Sequence, residues 1–152
     1  MQLTNPFARD AEFLAHFLER FWFTAIETEA LENVRQKMVA SAAALADSLQ
    51  DSKLVVFTLQ GRMARYASNL RPQRAPIFAF TPSEEVYRQL ALYWGTFPAC
   101  IDFAAGPDRT ISAAEKFLRK NKWATPGDRM VIVSDVRMGR ELIDSIQLRV
   151  VK

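Results

Sequence analysis

Leu54-Val55-Val56-Phe57-Thr58-Leu59-Gln60-Gly61-Arg62 is the stretch that decides the fold. It opens with a short, continuous apolar run, the pattern of a strand buried on both faces in a parallel sheet. Gly61 then supplies a turn, and Met63, Tyr66, Ala67 and Leu70 follow at helical spacing. Strand, turn and helix in that order are half of a βαβ unit.

The pattern repeats outward from there. After a loop at Arg71-Pro72-Gln73-Arg74-Ala75, residues 76–81 form a second buried-strand run. Thr81-Pro82-Ser83-Glu84 predicts a helix start, with Thr as N-cap, Pro at the first helical position and Glu completing a capping box. That helix is expected to close at Gly95. Residues 97–103 read as a third strand, 111–121 as a helix and 130–133 as a fourth strand, entered through a type II turn at Thr125-Pro126-Gly127-Asp128. Residues 145–150 alternate polar and apolar, which predicts a half-exposed edge strand running antiparallel.

Upstream, a long helix is expected from Thr28 to about Gln50, with Leu31, Val34, Met38, Ala42, Leu45 and Leu49 as its apolar stripe. Before it, Phe13, Leu14, Phe17, Leu18, Phe21 and Trp22 mark one face of an extra N-terminal helix within residues 8–24. The expectation is an α/β domain of three αβα layers over residues 27–152, its five-stranded sheet mostly parallel, preceded by a helical extension over residues 1–26.

With 49% apolar and 24% charged residues, the 152-residue chain has the composition of one globular domain. Its basic residues are scattered at a net charge of +3, so no nucleic-acid partner is expected. The single cysteine, Cys100, excludes an internal disulfide framework, and in a predicted strand it is expected to be a buried, inert thiol. No stretch is long and apolar enough to span a membrane, and no secretory signal is evident; the expected compartment is the cytoplasm.

Several blocks resemble one family in order and spacing. Val55-Val56-Phe57-Thr58-Leu59-Gln60-Gly61-Arg62 is similar to the strand and Thr-x-Ser-Gly-Arg loop of the C-terminal domain of pyruvate kinase. Arg71-Pro72-Gln73-Arg74-Ala75-Pro76-Ile77 resembles its Arg-Pro-x-Ala-Pro-Ile block, one residue longer. Thr81-Pro82-Ser83-Glu84-Glu85-Val86, Leu90-Ala91-Leu92-Tyr93-Trp94-Gly95 and Pro126-Gly127-Asp128 continue the series, and the resemblance covers about residues 27–152. It implies a regulatory domain that binds a phosphorylated small-molecule effector and supplies a subunit interface, with the kinase chemistry in a barrel domain that these residues do not resemble. Two other readings stay open: a structural or protein-interaction domain that has lost effector binding, and a piece of a divergent pyruvate kinase whose barrel is elsewhere.

The candidate effector site is Thr58, Gln60, Gly61 and Arg62, because a helix N-terminus after a Gly turn presents backbone N–H groups to an anion. Gln60 stands where the family has Ser, and Leu59 replaces a Lys found in some members, which leaves room for a plain structural turn. The resemblance implies a second effector element at residues 135–144. Here it has one Gly, with Arg137 and Arg140 among Asp135, Glu141 and Asp144, and it reads as a solvated connection of mixed charge in which Arg140 is the residue to face an anion. Phe13, Phe17, Phe21 and Trp22 are candidates for a homo-oligomer interface, against the plainer reading that they pack on the core. His16 has no ligand-type neighbours at metal spacing and reads as an ordinary helix residue. Arg71 and Arg74 read as solvated, with a small anion patch as the alternative. No catalytic residue, metal site or cofactor is expected.

Overall fold

In the computed structural model, residues 29–104, 106–138 and 141–152 are described, with only the backbone course at 135–138 and 141–143. The chain forms two compact units, Met1–Val34 and Arg35–Lys152. The helix expected within residues 8–24, with Phe13, His16, Phe17, Phe21 and Trp22, lies outside the described residues, as do Thr28, Gly139 and Arg140.

Residues 29–48 are helical (α1). There follow β1 (Ser52–Phe57), α2 (Arg62–Leu70), β2 (Ile77–Thr81), α3 (Glu84–Leu90), β3 (Thr96–Cys100), α4 (Pro107–Lys120), β4 (Arg129–Met138) and β5 (Glu141–Val150). The five strands form one sheet in the order β3-β2-β1-β4-β5. β1, β2, β3 and β4 run parallel and β5 antiparallel to β4, as the alternating run of residues 145–150 predicts.

Alternation along the strands builds two cores, because successive side chains leave a strand on opposite faces. Leu54 and Val56 of β1 join Val39, Ala42 and Ala46 of α1, Met63 and Ala67 of α2, and Leu90 of α3 on one face. Val55 and Phe57 join Phe78 and Phe80 of β2 and Ile111 and Leu118 of α4 on the other. Helices on both faces explain why the central strands read as unbroken apolar runs.

Four local expectations are corrected. α1 buries Val39, Ala42, Ala43 and Ala46, whereas Leu31, Val34 and Leu45 are exposed; small side chains bring the helix backbone close to the sheet, and the larger ones turn outward. α3 is capped by Ser83, whose hydroxyl accepts from the Val86 N–H at 3.3 Å, while Thr81 is buried at the end of β2. α3 also ends at Leu90, five residues before Gly95, because Leu92 and Tyr93 turn back through i→i+3 bonds to Gln89 and Leu90. Cys100 is exposed: β3 is an edge strand, and it is Ala99 that faces the core.

The loop before β2 is held by a residue that has no motif. The Asp47 carboxylate accepts from the backbone N–H groups of Gln73, Arg74 and Ala75 at 2.7, 2.9 and 3.0 Å. Burial alone would raise this carboxyl, but the three N–H donors and the Arg74 charge outweigh it and hold the group below the ordinary carboxylate range. Arg71 lies 5.6 Å from the Trp94 ring centroid, in cation–π contact. The backbone donors of this loop are therefore occupied by the protein's own carboxylate.

Candidate functional site

The strand order reverses at β1: the chain moves from β1 to β2 and β3 on one side, then crosses to β4 on the other. In open α/β sheets the crevice beyond the carboxyl ends of the strands at such a point is where ligands bind. The loop leaving β1 there is Thr58-Leu59-Gln60-Gly61, and it leads directly into α2.

Each residue of that turn has a distinct place. Gly61 has φ +79°, a left-handed conformation in which any side chain would be strained, so the glycine is required by backbone geometry. Thr58 is 1% exposed, and its hydroxyl oxygen accepts from the Gly61 N–H at 2.9 Å. This bond fixes the turn from inside and removes the Gly61 N–H from the donors that could face a ligand. Gln60 and Arg62 are exposed, and the Arg62 guanidinium donates to the Gln60 side-chain oxygen. Of the four candidates, Thr58 and Gly61 shape the turn, while Gln60 and Arg62 are exposed and bonded to each other.

The electrostatics of the α2 start suit an anion. Its first turn contains no acidic residue, and no side chain caps it. Its uncapped N–H groups leave partial positive charge at the end where Arg62 sits. α3, beginning at the same edge of the sheet, carries Glu84 and Glu85 in its first turn and a serine cap.

The segment expected to be a solvated connection at 135–144 is a continuation of two strands. β4 and β5 pair from Arg129↔Val150 to Met138↔Glu141, leaving two residues between them. The reading fails because Asp135, Arg137, Glu141 and Asp144 suggest a loop, whereas an overhanging two-stranded ribbon also tolerates charge. Asp144 is not an open acid either: it accepts from Arg35 Nε at 3.0 Å. Sequence reasoning missed Arg35, which lies 109 residues away along the chain, and no local signal could have paired the two. The positions of Arg137 and Arg140 side chains lie outside the described residues.

Among the described residues, no group of three or more His, Cys, Asp or Glu is placed to hold a metal ion. Among them, too, no helix is long and apolar enough to cross a membrane.

This doubly wound domain, with an anion-suited turn at its switch point, matches a known family. The family model for the pyruvate kinase alpha/beta domain covers residues 36–147, and the chain belongs to that family. Chloroplast pyruvate kinase isozyme A of Ricinus communis is 31% identical over 129 residues, covering 78% of this chain and 22% of the relative. Pyruvate kinase of Lactococcus lactis is 30% identical over 119 residues, covering 78% of this chain and 24% of the relative. Pyruvate kinase 2 of Synechocystis is 29% identical over 141 residues, covering 91% of this chain and 24% of the relative. The chain therefore spans 22–24% of the length of these relatives. Among solved structures, Cryptosporidium parvum pyruvate kinase in complex with ADP superposes with a TM-score of 0.70 at 21% identity, over 78% of this chain and 24% of that one. At that identity the likeness is one of fold.

Proposed function

We propose that this chain is the regulatory part of a pyruvate kinase and binds a phosphorylated metabolite at the turn between β1 and α2. The observation that carries the reading is the placement of that turn. It lies at the switch point, opens an uncapped helix start with no acid in its first turn, and has Arg62 exposed beside it. In this reading the phosphotransfer chemistry belongs to residues that correspond to the remainder of the longer relatives. Effector binding acts on it as a coupling free energy between two sites.

Arg62→Ala tests the assignment. A charge-assisted hydrogen bond to a phosphate is worth about 1.5–3 kcal/mol, so the variant should bind a sugar phosphate roughly tenfold more weakly or worse. Titration calorimetry at fixed ionic strength reads the difference. Equal affinities in parent and variant would remove Arg62 from the site, and absence of binding by the parent would favour a purely structural domain.

Self-association is the second function supported by a specific observation. β5 is an edge strand of 10 residues without proline, and Ile146, Leu148 and Val150 on one face are 38, 53 and 55% exposed. An unpaired edge bearing an apolar row is a template for another strand, and a second copy offers the same surface. Light scattering at micromolar concentration should give the mass of a dimer. Leu148→Asp should shift it toward the monomer, whereas a monomeric parent would refute the reading.

A further inference from the structure

β1 stops where Phe57 pairs with Ser134, but β4 and β5 go on pairing to Met138 and Glu141. The end of the ribbon therefore overhangs the sheet on the β1 side, next to the turn that leaves β1. At its base the Ser134 and Ser145 hydroxyls lie 3.1 Å apart in a hydrogen bond. One residue further out, Asp144 meets Arg35 of α1, with the two side chains only 17% and 19% exposed. The second Asp144 oxygen is buried and has no hydrogen-bond partner. Asp135 is the register partner of Asp144 in the β4–β5 pair.

We propose that the Arg35–Asp144 ion pair is the positioning contact that fixes the overhanging ribbon beside the β1–α2 turn and so sets the affinity of that turn for a phosphate ester. The second half of this statement rests on the effector-site reading above; the first half does not. Arg35 brings a cation to Asp144 from an element distant in sequence but packed on the same core. The pair uses a single carboxylate oxygen and leaves the other desolvated. Holding the ribbon thus retains a buried, unsatisfied acceptor that release would return to water.

The test uses the full chain and amide hydrogen exchange, first with no ligand present. In Asp144→Asn and in Arg35→Met, protection of the amides at 135–138 and 141–144 should fall by about tenfold or more, while those of β2 and α4 stay as in the parent. Uniform loss across the sheet would overturn the proposal, and so would unchanged exchange in the ribbon. Should either single variant fail to fold, the swapped pair Arg35→Asp with Asp144→Arg decides: restored ribbon protection supports the contact, and a folded swap with an unprotected ribbon refutes it. Calorimetry with inorganic phosphate and a sugar bisphosphate then addresses affinity. Weaker binding by the variants with a loosened ribbon supports the positioning role. Parent-like binding by them overturns it. A parent that binds neither probe removes the effector site and the affinity half of the proposal, leaving the exchange result to stand for the ribbon alone.

Discussion

Phe80→Ala should lower the unfolding free energy by about 3–5 kcal/mol, the range for truncating a fully buried phenylalanine. Phe80 is 0% exposed, stacks on Phe57 at a centroid distance of 5.6 Å and meets Phe117 edge-on at 5.8 Å. It joins β1, β2 and α4 in one aromatic contact, so nothing nearby is free to fill the space its ring leaves. Its carbonyl also accepts from the Thr58 N–H at 3.0 Å, where the candidate turn begins. Chemical denaturation should show the full loss with an unchanged slope, and Phe80→Leu should recover most of it. A loss under about 1 kcal/mol would mean that this core collapses around cavities and that the ring contacts contribute little.

Lys53→Met should cost about 2–3 kcal/mol at neutral pH, less than for a fully buried pair because both groups keep some access to water. Lys53 Nζ lies 2.7 Å from Asp128, with the two side chains 12% and 13% exposed. Burial pushes the Asp128 carboxyl up, but the Lys53 ammonium and the Thr125 N–H outweigh it and hold the group below its ordinary value. A lowered folded-state pKa means stability that is present above the unfolded value of about 3.9 and is lost as pH falls through the folded one. Removing Lys53 takes away the main opposition to burial, so the Asp128 pKa should rise. The gap between parent and variant should then narrow on acidification below about pH 4. Denaturation curves at pH 7 and pH 3 check both parts. A gap independent of pH would show that Lys53 acts through its aliphatic stem and not through Asp128.

The sheet and its order of elements were legible because the central strands are covered on both faces. Such strands carry no polar interruptions, and Val55-Val56-Phe57 and Ile77-Phe78-Ala79-Phe80 appear as runs. Gly61 was legible as a turn for a related reason: a left-handed φ leaves little choice of residue. What failed depended on tertiary placement. The charged residues of the ribbon looked like a loop because a strand pair beyond the edge of β1 has no core to enforce an apolar pattern. Cys100 was misplaced because exposure in β3 follows from its edge position, which the sequence of a short strand does not display. At the candidate site, residue types suggest that Thr58, Gly61 and Arg62 all face an anion, with Gln60 as the departure from the family pattern. The geometry divides them: the Thr58 hydroxyl is turned inward onto Gly61 N–H, and that direction depends on a side-chain rotamer inside the turn. Asp47 and Arg35 were invisible for a simpler reason, since each acts on residues far along the chain.

The two borders of the sheet are chemically unequal, and this limits how large an assembly could grow. β3 is a five-residue border with Pro98 at its centre, and proline has no N–H to offer an incoming strand. β5 is twice as long and carries no proline. Two copies joined border to border through β5 would form one continuous sheet whose outer rims are both β3. Each rim ends in a strand that resists further addition. Association through the sheet would therefore terminate itself at the pair, giving a closed twofold particle and no fibre.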